Sequence, residues 1–104
     1  MIRLMALYPN RPDAKFDFDY YVATHVPLFK KRMEPFGLVR VEIDRGVPGP
    51  MPDLPPPFLM VFHCVFQSLD GFQKGFAAHA QEIVADIPKF TNIQPQIQLS
   101  EILQ

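Results

Sequence analysis

The side chains best suited to chemistry fall in one short stretch, Asp19-Tyr20-Tyr21-Val22-Ala23-Thr24-His25-Val26-Pro27-Leu28. Imidazole titrates near neutral pH, so His25 is suited to taking and returning a proton. Tyr21 lies four residues earlier, and on a helix that spacing puts the two side chains on one face, in reach of each other. Tyr21 could then orient the imidazole or bind a ligand oxygen, and Tyr20 is a further ligand-binding candidate. Pro27 makes this an unusual helix. It lacks an N–H, its ring clashes with the carbonyl of Ala23, and it pushes Val26 away from the α conformation. The sequence therefore predicts a kink or a restart just after His25, with free backbone polar groups and room for a cavity beside the imidazole. The competing reading is that His25 caps those freed carbonyls while Tyr21 fills the core.

Four other positions could contribute to a ligand site: Tyr8, Phe62, His63 and Cys64. His63 and Cys64 are adjacent on a predicted strand, so they point to opposite faces and only one can face a cavity under the helices. A Cys–His nucleophile pair needs the two side chains in contact. Neighbours on a strand cannot supply that, whereas Cys64 could meet His25 across the helix–sheet gap. Cys64 also fits as a small buried hydrophobe, and His63 as a core or interface histidine. Tyr8 ends the first predicted strand, where its phenol either reaches a pocket mouth or packs in the core. Phe62 is one of ten phenylalanines, a number that suggests a pocket lined by rings. His79 reads as a surface residue near the end of the second helix. The separations of His25, His63 and His79 match no metal-ligand spacing, and no metal is expected. Without a Gly-rich phosphate loop, a dinucleotide fingerprint or a nucleophile elbow, no cofactor is expected either.

The elements that must position these groups follow from periodicity. Ile2 to Tyr8 is a compact apolar run closed by Pro9-Asn10-Arg11-Pro12, a strand followed by a loop. Asp13 or Asp17 can cap the first helix, which should end near Gly37. Leu38 to Val47 alternates Val39, Val41 and Ile43 against Arg40, Glu42 and Asp44, a half-buried strand. Gly46 to Pro57 holds six prolines and predicts an extended loop. Phe58 to Phe66 is apolar on both faces. Ser68 starts a helix running towards Ala80, followed by a second helical piece over 81–86 that stops at Pro88. Gln94 to Leu103 alternates again, with Gln96 and Gln98 on its polar face. The order is β-α-β-β-α-β: an α+β, ferredoxin-like fold with a four-stranded antiparallel sheet and both helices on one face. The other face would leave an apolar third strand bare, and a second copy packed sheet to sheet is the simplest cover. The expected partner is thus a homodimer mate.

Composition narrows the function classes. A chain of 104 residues with net charge −1 is one domain, 1–104, without the basic stripe that nucleic acid requires. No apolar run is long enough for a membrane span, the N-terminus has no signal-peptide pattern, and a single cysteine allows no internal disulfide. The expected location is cytoplasmic.

Taken together, several segments resemble one family. These are the strand ending Leu7-Tyr8-Pro9, the helix Phe18-Asp19-Tyr20-Tyr21-x-x-x-His25-x-Pro27-Leu28, the strand Phe58-Leu59-Met60-Val61-Phe62, and the segment Asp86-Ile87-Pro88-Lys89-Phe90-Thr91-Asn92-Ile93-Gln94-Pro95. Across nearly the whole chain they resemble the EthD (ethyl tert-butyl ether degradation) family of the dimeric α+β barrel superfamily. The resemblance implies that fold and a dimer, and it carries over chiefly Tyr21, His25 and Pro27. Superfamily relatives include lactone isomerases, polyketide cyclases, cofactor-free monooxygenases and haem-handling enzymes, so it implies little about the reaction. The expected ligand is a small apolar or aromatic organic molecule. The expected chemistry is cofactor-independent proton transfer of the isomerase or dehydratase type, with His25 as the proton shuttle and Tyr21 beside it. A non-catalytic accessory or binding role in an oxidative degradation pathway is the alternative, as is a cofactor-free oxidoreductase.

Overall fold

The first strand, β1 (Ile2–Pro9), takes the central position because it is apolar on both sides. The computed structural model describes all 104 residues and places β1 between β3 (Phe58–Phe66) and β4 (Gln96–Glu101), antiparallel to both. β2 (Leu38–Arg45) pairs with the far side of β3, so the sheet order is β2-β3-β1-β4. The register sets Leu4 opposite Cys64 and Leu99, and Ala6 opposite Phe62 and Ile97. One face of the sheet therefore carries Leu4, Ala6, Tyr8, Met60, Phe62, Cys64 and Phe66, all buried beneath the helices. This is the expected ferredoxin-like α+β arrangement.

The first helical segment begins where expected, with Asp17 as its cap: its carboxylate accepts the N–H of Tyr20 at 3.0 Å. It runs through α1 (Phe18–Tyr20), a π-helical turn (Tyr21–His25) and α2 (Val26–Met33). The backbone stays helical throughout, and the regular α-helix restarts just after His25, as α2 at Val26 with Pro27 in its first turn. The N–H of Val26 reaches back five residues to the carbonyl of Tyr21, and Val26 itself stays in the right-handed helical region. Widening the helix by one residue relieves the clash that Pro27 would impose on a regular α turn. A short 3₁₀ turn (Glu34–Phe36) then ends at Gly37, whose φ of 89° is the left-handed stop that glycine supplies.

The second helix is one continuous element, α3 (Leu69–Asp86), capped by Ser68, rather than two pieces. Nothing in 80–82 breaks a helix, and Pro88 only converts its end into a 3₁₀ turn (Ile87–Lys89). His79 therefore lies in the body of α3, half-buried with its ring edge-on to Phe36. Gly75 lets α3 approach α2: a Cβ there would sit 2.9 Å from Met33 Sδ and from Phe36 Cγ. Phe29 packs edge-on against Phe62 and Phe66 against Phe72, closing the core between helices and sheet.

Two loops complete the frame. The proline-rich connection is irregular, and its end is tied to the β1 exit by bonds from Asn10 to the carbonyls of Pro56 and Pro57. The same loop, before α1, is also clamped to the segment after α3. The N–H of Asp17 donates to the carbonyl of Phe90 at 2.7 Å, and the Thr91 hydroxyl donates to the carbonyl of Lys15. That clamp brings the C-terminal end of α3 against the π-helical turn. No helix is long and apolar enough to cross a membrane.

Candidate active site

His25 closes the π-helical turn and is buried, at 5% exposure. The i, i+4 contact expected with Tyr21 is present: the rings stack with centroids 5.2 Å apart. The Phe90 ring packs on the imidazole from a third side at 4.6 Å. His25 does not cap freed carbonyls. Its Nδ1 is 2.9 Å from Oδ2 of Asp86, the last residue of α3, itself only 7% exposed. The other carboxylate oxygen, Oδ1, accepts the Tyr20 hydroxyl at 2.8 Å, and Lys89 Nζ lies 3.7 Å from it.

The electrostatics of this cluster define its protonation pattern. Burial alone would raise the Asp86 carboxyl, but the hydrogen bonds from His25 and Tyr20 outweigh it and hold the group below the ordinary carboxylate range. Asp86 is therefore ionised and can only accept, so Nδ1 of His25 carries a proton towards it. In the neutral imidazole the free lone pair is then on Nε2. The hydrogen bond to Asp86, with burial adding to it, pushes the Tyr20 phenol up, which keeps it a donor.

His25 lines a cavity of about 230 Å³ between the helices and the sheet. Tyr8, Tyr21 and Phe62 line it as well, with Leu4, Phe29 and Ile83 among its apolar walls. Gln94 adds an amide, and the exposed Phe76, Val84 and Ile97 mark its mouth between α3 and β4. Burial pushes the Tyr8 phenol up to about 12, and drives Tyr21 further still. The rings of the two residues meet edge-on at 6.1 Å.

The remaining candidates fall elsewhere. His63 points to the opposite face of the sheet, where Nε2 lies 2.7 Å from Asp44 Oδ2 on β2, and it has no part in the His25 cavity. The strand alternation made one of His63 and Cys64 face the helices, and that one is Cys64. Yet Cys64 packs behind the cavity wall rather than lining it. Burial pushes its thiol up to about 12 despite a bond with the Leu4 backbone, which suits an inert core residue and not a nucleophile. The partner of His25 is a carboxylate and not this thiol. Tyr20 sits outside the cavity, with its hydroxyl on Asp86 and its ring stacked on Phe90. No group of three or more His, Cys, Asp or Glu side chains is placed to hold a metal ion.

Asp86 is the residue that sequence reasoning missed. A faint signal exists: a carboxylate at a helix C-terminus opposes the helix dipole, which favours cations there. Its neighbours Ile83, Val84 and Ile87 are apolar, so that carboxylate needed a buried partner.

The architecture and the site together define a small ferredoxin-like α+β protein with an apolar cavity entered beside a buried histidine–aspartate pair. Residues 12–94 match the EthD domain model, and the chain belongs to the EthD family. Among solved structures, an EthD-like protein from Ralstonia eutropha JMP134 is 29% identical, with 99% of this chain and 92% of that one covered and a TM-score of 0.92. An ethyl tert-butyl ether degradation family protein from Bacillus halodurans C-125 is 25% identical, with 99% of each chain covered and a TM-score of 0.77. HapK from Hahella chejuensis shares the fold alone, at 14% identity and a TM-score of 0.61, with 99% of this chain and 93% of that one covered. No curated protein matches the chain.

Proposed function

We propose that this protein binds a small, largely apolar organic molecule in the cavity under α3 and acts on it by cofactor-independent proton transfer. The observation that carries this reading is His25 itself. It lines an apolar cavity while its Nδ1 is held by a buried carboxylate 2.9 Å away. A carboxylate in that position fixes the tautomer and orientation of the imidazole and stabilises the imidazolium formed when Nε2 takes a proton. Tyr21, stacked on the imidazole, and Tyr8 supply phenols to a ligand oxygen, and Phe62 supplies apolar wall. Asp86 and Tyr20 are positioning residues that work through His25.

The working unit in this reading is a homodimer. The sheet face opposite the helices carries a half-buried apolar band, with Met5 and Leu7 on β1 beside Leu59 and Val61 on β3. A second copy packed against it would bury that band.

Native mass spectrometry of the purified protein tests the ligand reading. The expected result is a dimer carrying a stoichiometric small organic adduct that is lost when Phe29→Trp fills the cavity. An adduct that persists in Phe29→Trp would place the ligand elsewhere. Adduct binding without turnover, with His25→Gln binding as well as the parent, would leave a binding protein and remove the catalytic role.

A further inference from the structure

The polarity of the cavity says more about its ligand than its size does. None of its lining side chains is Lys, Arg, Asp or Glu. A ligand carboxylate or phosphate would find no lysine or arginine to meet it, and the cavity supplies no permanent cation against the desolvation of that charge. The polar residues among its lining are His25, Tyr8, Tyr21 and Gln94. Tyr21 stacks on His25 at 5.2 Å and meets Tyr8 edge-on at 6.1 Å, so the base and both phenols lie within the span of one small molecule. Burial keeps both phenols protonated at any working pH, so they serve as O–H donors and not as bases. Neutral donors in a dry site beside a base suit a reaction in which negative charge develops on an oxygen.

We propose that the site enolises an uncharged carbonyl compound, with the Tyr8 and Tyr21 phenols receiving the carbonyl oxygen and His25 Nε2 taking the proton from the adjacent carbon. The inference rests on the reading of His25 as the base. The C–H bond next to the carbonyl breaks and its proton goes to Nε2. The electron pair becomes the C=C bond of the enolate, and the charge moves to the oxygen facing the phenols. When the proton on Nε2 is replaced by one from solvent before delivery to the same carbon, the result is exchange, and delivery to a conjugated carbon gives isomerisation. Nothing is oxidised or reduced. The imidazolium is held meanwhile by the Asp86 carboxylate. A cavity of about 230 Å³ is larger than the roughly 150 Å³ engineered void that accepts benzene, so a ketone of one or two rings fits. The mouth at Phe76, Val84 and Ile97 lets an apolar tail protrude.

The test is exchange of the α-hydrogens of cyclohexanone and 2-tetralone in D2O, followed by proton NMR against buffer alone, with binding read in parallel from amide shifts of the labelled protein. The parent protein is expected to bind 2-tetralone and accelerate its exchange. His25→Gln should lose the acceleration. Tyr8→Phe and Tyr21→Phe should each slow exchange by about 100-fold while binding persists, with circular dichroism confirming that each variant is folded. Exchange that survives in both phenylalanine variants overturns the role of the phenols and leaves His25 as the base. Binding without exchange in the parent overturns enolisation and leaves the ligand pocket. Absence of both binding and exchange with either ketone overturns the assignment of substrate class.

Discussion

His25 and Asp86 stand 61 residues apart in the chain and 2.9 Å apart in space, and the behaviour of each depends on the other. An unpartnered imidazole in an apolar cavity would have no fixed tautomer, and an unpartnered carboxylate there would not stay ionised. Because Asp86 is held below its ordinary value of 3.8 in the folded protein, its ionised form stabilises the fold. That contribution is complete above the ordinary value and is lost as pH falls through the lowered one. Asp86→Asn keeps the shape and removes the charge. Urea unfolding at neutral pH should therefore show the variant less stable than the parent, and the gap should narrow as the titration is taken below about pH 4. A gap that stays constant down to the acid limit would mean that the carboxylate charge contributes nothing. The same logic separates Cys64 from the site: burial pushes its thiol up to about 12 and keeps it protonated, and the partner of His25 is the Asp86 carboxylate.

Helix geometry decides whether that pair can form. A regular α turn through Tyr21–His25 would bring Pro27 against the carbonyl of Ala23, and the π-helical turn avoids this while keeping Tyr21 and His25 stacked. On the other side, α3 must lie close to the first helical segment for Asp86 to reach the imidazole, and Gly75 is one point of close approach between them. A methyl group there would meet Met33 Sδ and Phe36 Cγ at 2.9 Å, closer than carbon atoms tolerate. Gly75→Ala gains helix propensity worth about 1 kcal/mol. The overlap costs more, in the range of roughly 1–3 kcal/mol for an overpacked core, so a net loss of stability is expected in thermal or urea unfolding. A separated α3 should also weaken the His25–Asp86 contact, which the imidazole resonances of His25 would report. An Ala variant as stable as the parent would show that the methionine and the phenylalanine can move aside at no cost.

For the molecule as a whole the question is what covers the sheet. Its helix face is filled by the core, whereas the other face carries an apolar band on its two central strands, beside Arg3 and His63, and is polar at the edges. Met5, Leu7, Leu59 and Val61 are flanked by Arg40, Glu42 and Asp44 of β2 and by Gln96, Gln98 and Ser100 of β4. That is the pattern of an interface with an apolar centre and a polar rim. Val61→Asp places a charge in the centre of the band, in a position where a two-fold copy would bring the same charge opposite or nearby. Sedimentation velocity at micromolar concentration should change from dimer to monomer with helix and strand content retained. A parent that sediments as a monomer would remove the sheet-to-sheet assembly from this account.

The sequence by itself determined the order and kind of the main elements and most of the near neighbours. Period-two alternation put Cys64 and His63 on opposite faces, and a Ser at 68 and a Gly at 37 marked a helix start and stop. A spacing of four put Tyr21 on His25. Each of these rests on interactions within a few residues, where local backbone geometry leaves little choice. Pro27 was legible as a disturbance, but its outcome was not. Whether a helix breaks, kinks or widens depends on what packs around it, and here the surrounding core holds the turn together. The candidate site was legible by half. His25, Tyr21, Tyr8 and Phe62 do line one cavity, whereas His63 and Cys64 do not, because the face a strand turns to the helices and the depth of a side chain behind a wall are set by packing. Asp86 as the partner of His25 was beyond reach. Joining two residues across 61 positions takes the clamp between the loop before α1 and the segment after α3, and only the folded chain brings those loops together.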